Sequence, residues 1–442
     1  MPERIVIIGL GFGGFSAARA ARGQNREAEI IVLERRKEYD GFSPCGIPYA
    51  IEGDVPMGSL IHSYGLDRMR VQVKLGYEAL SVDASAKTVR VSGPDGEESL
   101  SYDSLIISSG SSPFIPPVPG ADLQGVFVVS TPDDGERISR AAGSSENAVV
   151  VGAGAIGLET AYALKKKGLN VTVVEMLDRP LPNSLDKDMA SILLKSMEAS
   201  GIRMLMEKRL ETINGSESVR SVTVAGEEIP ADMVIMSVGV RPNTRFLEGS
   251  GVEVGRGIIT DERMETSVPG IYAVGDCVES FSLIDRSRGN CWLATAAHHQ
   301  GSVAGINAAG GDAKYPGYLC TFVSRIGGLE VAATGYTADR AKSVGYEVVS
   351  GKAKGLDRPH WYPGAEEVSV KVIADKKDGR ILGAQVVGAN AGQRVNTFSA
   401  LITAGATVEH AERLELSYSP PVSDVYDPVV TALEVCARKM RR

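Results

Sequence analysis

The chain alternates between short runs that are apolar throughout and longer stretches in which apolar residues recur at helical spacing. Residues 4–8, "RIVII", form the first such run, and an alanine-rich stretch ending at Gly23 follows it. "EIIVLE", closing on Glu34, is the second run. A run of this length with no polar face suits a strand covered on both sides, and the intervening stretch suits the helix that covers it. The pattern then returns: "AVVVGAGAIGLETAYALKKKGLNVTVVE" is a strand, a helix ending at Gly168, and a strand closing on Glu175. A second block also recurs, "DSLIISSGSSP" (103–113) against "DMVIMSVGVRP" (232–242). From about Tyr315 the period changes. "EVSVKVIADKKDGRILGAQVVGAN" alternates apolar and polar residues around Asp378-Gly379, which predicts a β-hairpin, and "VNTFSALITAGATVEHAERL" predicts one helix after it.

Glycines mark the junction of strand and helix in both repeats. Gly9, Gly11 and Gly14 stand at one constant offset from Gly152, Gly154 and Gly157. Glycine at these places lets a backbone turn and approach a pyrophosphate at a helix N-terminus, while the carboxylate ending the next strand accepts ribose hydroxyls. Glu34 and Glu175 hold that position, with Arg35 assigned to the same site as Glu34. Two Rossmann-like nucleotide-binding units are therefore expected, and an antiparallel domain with helices should follow them. Glu175 lacks a basic neighbour at Met176 and Leu177, which favours NADH; Arg179 lies close enough to leave NADPH open.

Composition narrows the classes. At 442 residues the chain has room for about three domains. A net charge of -8 without a long basic run leaves no electrostatic footprint for nucleic acid. No apolar run approaches the roughly 18 residues of a membrane span, and the chain begins almost at once with a strand rather than a leader, so a cytoplasmic protein is expected. Five cysteines, none in a C-x-x-C pair, argue against a disulfide framework and against zinc. The adjacent His298 and His299 point about 100° apart on a helix and are not expected to share a metal.

Cys45 lies in "FSPCGIPYA", a context that predicts a tight turn feeding a short helix. Two readings are open from these residues alone. The thiol is either a buried small hydrophobe or a reactive thiolate near backbone N–H groups.

The ordered set "GxGxxG", "SSG" (108–110), a second "GxGxxGxE" and "YAVGDC" resembles the pyridine nucleotide-disulfide oxidoreductases that use FAD and NAD(P)H, over nearly the whole sequence. The resemblance implies an FAD domain (1–113 with 246–318), an NAD(P)H domain (114–245) and a C-terminal α+β dimerisation domain (319–442) that reaches into a partner's site. It places Ser109, Gly110, Gly275 and Asp276 at the flavin, Asp276 on its ribityl chain, and Gly239 and Glu159 at the nicotinamide nucleotide. Cys45 falls where the family carries its redox sulfur. Position 50 is Ala, so the two-cysteine internal disulfide is ruled out at that spacing.

"SPCGIPY" is similar to the single-cysteine branch, the coenzyme A disulfide and persulfide reductases, with the NADH oxidases close by. That branch implies electrons passing from NAD(P)H through flavin and Cys45 to a coenzyme A disulfide, persulfide or polysulfide. It makes Tyr418 the proton donor in place of a histidine and Tyr362 a second active-site tyrosine. Coenzyme A phosphates need basic forks. Arg19 and Arg22 share a helix face that the resemblance sets by the adenosine end, and Arg68 and Arg70 are further candidates, alternating as on a strand or turn. The competing readings are an NADH oxidase that reduces O2 with a Cys45 sulfenic acid, and a flavin redox-sensing binding protein.

Overall fold

The computed structural model describes residues 3–442, which divide into two compact units. The first unit holds the chain up to Pro44, Met57–Pro113 and Val240–Tyr318. Its centre is a five-stranded parallel sheet in the order Ile271–Ala273, Ser104–Ile107, Arg4–Ile8, Glu29–Glu34, Val71–Leu75. Ile5, Val6, Ile7, Leu105, Ile106 and Ile107 are fully buried, as strands covered on both faces require. The helix Phe12–Gln24 packs on the helix Ala294–Ala308 at very close range. A Cβ on Gly301 would lie 2.2 Å from the Gly13 carbonyl oxygen, and one on Gly305 would lie 2.2 Å from that of Ala17. Only glycine fits these crossings.

The second unit holds Cys45–Pro56, Phe114–Gly239 and Leu319–Arg442. Its first sheet is again five-stranded and parallel, in the order Val126–Phe127, Met233–Met236, Asn147–Val151, Asn170–Val174, Arg203–Leu205. The three central strands match the repeat read from the sequence. A three-stranded antiparallel meander accompanies each parallel sheet, Glu78–Ser101 in the first unit and Leu210–Pro230 in the second. The second unit also carries a five-stranded antiparallel sheet in the order Phe322–Ile326, Leu329–Gly335, Ile381–Gly388, Glu367–Asp375, Val348–Leu356. The expected hairpin around Asp378-Gly379 joins two of these strands.

One expectation needs correction. The helix anticipated over 395–414 is two helices, Ala391–Thr403 and Val408–Ala411. Gly405 between them is left-handed (φ 67°), and the Thr407 hydroxyl caps the second by accepting from the His410 N–H. Residues 114–239 and 319–442 lie in the same compact unit. Buried polar contacts join them: Lys371 Nζ lies 2.8 Å from Asp186 and 2.7 Å from Asp188, and the Asp186 N–H donates to Gln385 Oε1 at 2.9 Å. The chain re-enters the first unit at Val240, where Val240–Pro242 pairs antiparallel with Ser111–Pro113. No described helix is long and apolar enough to cross a membrane.

Candidate active site

In the first unit the strand Arg4–Ile8 ends at Gly9, whose φ of 92° is left-handed and whose Cβ would lie 2.2 Å from the Ser108 carbonyl oxygen. A Cβ on Gly14 would lie 2.1 Å from Gly9 O, whereas one on Gly11 would meet nothing within 4 Å. Gly9 and Gly14 are therefore demanded by the turn itself. Gly11 borders open space of the kind a pyrophosphate fills.

Glu34 is buried at the end of the neighbouring strand, and Leu10 N donates to its Oε2 at 2.9 Å. The basic partner of Glu34 is Arg36; Arg35 is exposed, with no side-chain hydrogen bond among the described residues. Arg36 forks onto Glu34 through Nε and Nη2, both at 2.8 Å, and its own N–H adds a bond of 2.9 Å. Burial alone would raise the Glu34 pKa; the Arg36 fork and the two backbone donors outweigh it and hold the carboxyl below its usual range. Arg36 Nη1 is buried without a hydrogen-bond partner among the described residues, while the guanidinium lies over the Tyr39 and Phe42 rings, which leaves one donor spare. The open cradle at Gly11 and this spare donor fit the adenosine diphosphate part of FAD. Across the sheet, Ser111 Oγ donates to Asp276 at 3.1 Å, and burial raises the Asp276 pKa against that bond. Ser109 Oγ donates to Asn243 O at 2.7 Å, and Gly110 and Gly275 are left-handed.

The second crevice repeats the first with one omission. A Cβ on Gly152 (φ 105°) would lie 2.1 Å from Ser237 O and one on Gly157 2.2 Å from Gly152 O, while Gly154 borders open space, as does left-handed Gly239. Ala153 N and Leu177 N donate to Glu175 at 2.7 and 2.8 Å, as Leu10 N and Arg36 N do to Glu34. Here no guanidinium follows. Met176 is 64% exposed and Leu177 48%, and Arg179 is spent on Asp178, Asp339 and the Leu185 carbonyl. The Glu175 carboxylate therefore keeps acceptor capacity for a ribose diol, and the residues fit a nicotinamide dinucleotide.

Cys45 lies in the second unit's first segment. Pro44–Gly46 form one 3-10 turn that feeds the helix Ile47–Glu52, which Gly53 (φ 100°) ends. The thiol is exposed, whereas Cys277, Cys291 and Cys436 are buried. Burial pushes the Cys436 thiol up to about 11, beyond use at neutral pH. One turn along from Cys45, the Tyr49 hydroxyl donates to Glu159 Oε1 at 3.3 Å, and Ser324 Oγ donates to the same oxygen. Burial raises the pKa of Glu159, and burial followed by the Glu159 charge raises that of Tyr49. Glu159 stands in the first turns of the helix Ala155–Lys166, beside the glycine cradle. Its contact with the cysteine helix was not legible in the sequence, since 110 residues separate it from Tyr49.

Tyr362 and Tyr418 both lie in loops of the second unit, and neither phenol has a hydrogen-bond partner among the described residues; Tyr418 is 50% exposed. Of the four basic candidates, Arg22 departs from expectation. Its guanidinium is committed to the carbonyls of Met69 (2.9 Å), Arg70 (2.8 Å), Asn25 (3.2 Å) and Arg26 (2.7 Å), so it tethers a turn. Arg68 and Arg70 are exposed on that 3-10 turn, Leu66–Met69 and its cap, rather than along a strand. Arg19 is exposed near His298, whose Nδ1 shares a hydrogen bond of 2.8 Å with Ser16 Oγ; burial, then His299 and Arg19, depress the His298 pKa.

Residues 3–301 match the pyridine nucleotide-disulphide oxidoreductase family, and residues 324–429 match that family's dimerisation domain. The chain belongs to this family and is an FAD-dependent NAD(P)H oxidoreductase. Among particular proteins, it is 40% identical to an NADH oxidase of Methanocaldococcus jannaschii over 99% of both chains. It is 35% identical to a coenzyme A-dependent NAD(P)H sulfur oxidoreductase of Pyrococcus furiosus, over 98% of this chain and 99% of that one. A solved NAD-dependent persulfide reductase from A. fulgidus superposes with a TM-score of 0.95 at 34% identity, covering 99% of this chain and 84% of the other.

Proposed function

We propose that this enzyme uses NADH to reduce a coenzyme A persulfide or disulfide, with Cys45 as its one redox-active sulfur. The exposed Cys45 at the mouth of a short helix, with Ala50 where a second thiol would stand, carries this reading. FAD, when bound, supplies the chemistry that converts a hydride into an electron pair for sulfur. The Cys45 thiolate attacks the sulfane sulfur of the persulfide and releases the coenzyme A thiolate, leaving a Cys45 persulfide. An electron pair from NADH then cleaves the new S–S bond to give hydrosulfide and the Cys45 thiolate. With a disulfide the same attack gives a Cys45 mixed disulfide, and the electron pair releases the second thiolate.

Each product thiolate takes a proton, and Tyr418 and Tyr362 are the donors in this reading, reaching across a homodimer built on residues 324–429. Gly11, Glu34, Arg36, Ser109, Gly110, Gly275 and Asp276 hold FAD. Gly154, Gly239 and Glu175 hold NADH, with Glu159 at its reactive end. Arg19, Arg68 and Arg70 meet the coenzyme A phosphates. The names of the sulfur-reducing relatives support this substrate class.

A second reading, NADH oxidase, is favoured by the name of the 40% identical relative. Anaerobic turnover of NADH with coenzyme A persulfide, coenzyme A disulfide or polysulfide, set beside oxygen uptake, separates the two. In Cys45→Ser the flavin should still be bleached by NADH while turnover of every sulfur acceptor disappears, because a serine hydroxyl is no nucleophile at neutral pH. Sulfur turnover that survives the substitution, or oxygen uptake that exceeds every sulfur acceptor, overturns the proposal.

A further inference from the structure

We infer that Arg394 is a positioning residue for the sulfur chemistry, one guanidinium that ties the root of the Tyr362 loop to the root of the Tyr418 segment. The inference rests on the reading that these tyrosines act on sulfur. Arg394 lies in the first turn of the helix Ala391–Thr403 and is only 7% exposed. Its Nη2 donates to Asp427 Oδ2 at 2.9 Å and reaches the Asp357 carbonyl oxygen at 3.5 Å, its Nε meets Asp427 Oδ1 at 3.4 Å, and Nη1 donates to Ala389 O at 3.0 Å.

Asp357 and Asp427 are each a neck. Asp357 is fully buried and follows the strand Val348–Leu356. Its N–H donates to Glu366 O and its carboxylate accepts from Glu366 N, at 2.9 and 2.8 Å, which closes the loop that carries Tyr362. Arg358 and Asn390 fill the rest of that carboxylate. Asp427 caps the helix Pro428–Met440 by accepting from Val429 N at 2.8 Å, and it ends the exposed segment that begins near Tyr418. Within that segment Ser419 and Ser423 close a small turn, Ser419 N donating to Ser423 Oγ at 3.1 Å and Ser423 N to Ser419 O at 2.9 Å. Both tyrosine segments are thus locally closed, and Arg394 fixes one relative to the other. Burying a guanidinium is costly unless every donor is placed, and here the placing is what spaces the two necks.

Arg394→Lys keeps a positive charge for Asp427 but cannot fork to Asp357. The holoenzyme variant should retain its FAD and its rate of flavin bleaching by NADH, yet lose about 10- to 100-fold in turnover of the sulfur acceptor, the scale of an approximately 1 Å misplacement. In a Tyr362→Phe/Tyr418→Phe background the same substitution should cost nothing further. A full second loss in that background marks Arg394 as merely structural, and normal turnover in Arg394→Lys beside impaired tyrosine variants refutes the spacing role; either result overturns the inference. Full turnover in the tyrosine double variant instead overturns the reading beneath it. Asp357→Asn gives an independent arm should Arg394→Lys fold poorly. It disturbs the oxygen that Arg358 and Asn390 share at the Tyr362 neck and leaves the Arg394–Asp427 fork in place, so its loss should shrink in Tyr362→Phe and persist in Tyr418→Phe, and the reverse pattern refutes the arrangement.

Discussion

Glu34 and Glu159 are the same side chain in opposite circumstances. Glu34 is forked by Arg36 and held below the ordinary carboxyl range, while Glu159 accepts from the Tyr49 and Ser324 hydroxyls and burial holds it above. A carboxyl with a depressed folded pKa contributes stability above its unfolded value of about 4.5, and that contribution is lost as pH falls through the folded pKa. Arg36→Met should therefore cost about 3–5 kcal/mol at neutral pH, the scale of a broken buried ion pair, and the deficit in urea midpoint should shrink on acidification. The sign reverses at Glu159. Its raised pKa makes the wild type lose stability as pH rises from about 4.5 through the folded value. Glu159→Gln can still accept both recorded hydrogen bonds at Oε1, so its Tm advantage should grow over that window and then level off. At this scale the sequence was partly legible. It marked Glu34 and Arg35 but missed Arg36, which serves Glu34, because which arginine reaches the carboxylate depends on the way the chain leaves the strand. Arg22 read as a partner for coenzyme A phosphates because the carbonyls it serves at Met69 and Arg70 lie on a remote turn.

Each cradle is a strand, a turn and a helix in which three glycines do two different jobs. Gly14 and Gly157 are pressed on by the carbonyl oxygens of Gly9 and Gly152, and a methyl group at either must displace backbone. Gly11 and Gly154 have ordinary extended dihedrals and open space. Gly11→Val should fold and lose FAD, and Gly154→Val should fold, keep FAD and raise the KM for NADH. Gly14→Val should lower Tm even without cofactor. Flavin content by absorbance and thermal melts of the stripped protein check these outcomes, and equal loss of flavin from the Gly11 and Gly154 variants contradicts two separate crevices. The repeat and the hairpin were legible because spacing and period reveal them. The break at Gly405 was not, since apolar spacing continues through it and only the left-handed backbone with the Thr407 cap divides the helix.

The two parallel sheets share a strand order, yet they are assembled from the chain differently. Sequence repetition exposed the two like units, while the partition of the chain into units depends on buried contacts such as Lys371 with Asp186, which have no local signature. In the second unit the edge strand Val126–Phe127 precedes the others, so that sheet is complete once Met236 has been made. In the first, Ser104–Ile107 waits for Ile271–Ala273, which follows the whole of the other sheet. During translation at about 5–20 residues per second, that edge stays uncovered for on the order of ten seconds. Its apolar "SLII" is in that interval a template for other nascent chains, a hazard that the finished protein no longer displays. Ribosome-stalled chains that have emerged past Gly239 but not to Ile271 should resist protease across 126–236 and be cut within 3–107. The flavin crevice, first in the sequence, is thus the later of the two to come into existence on the ribosome.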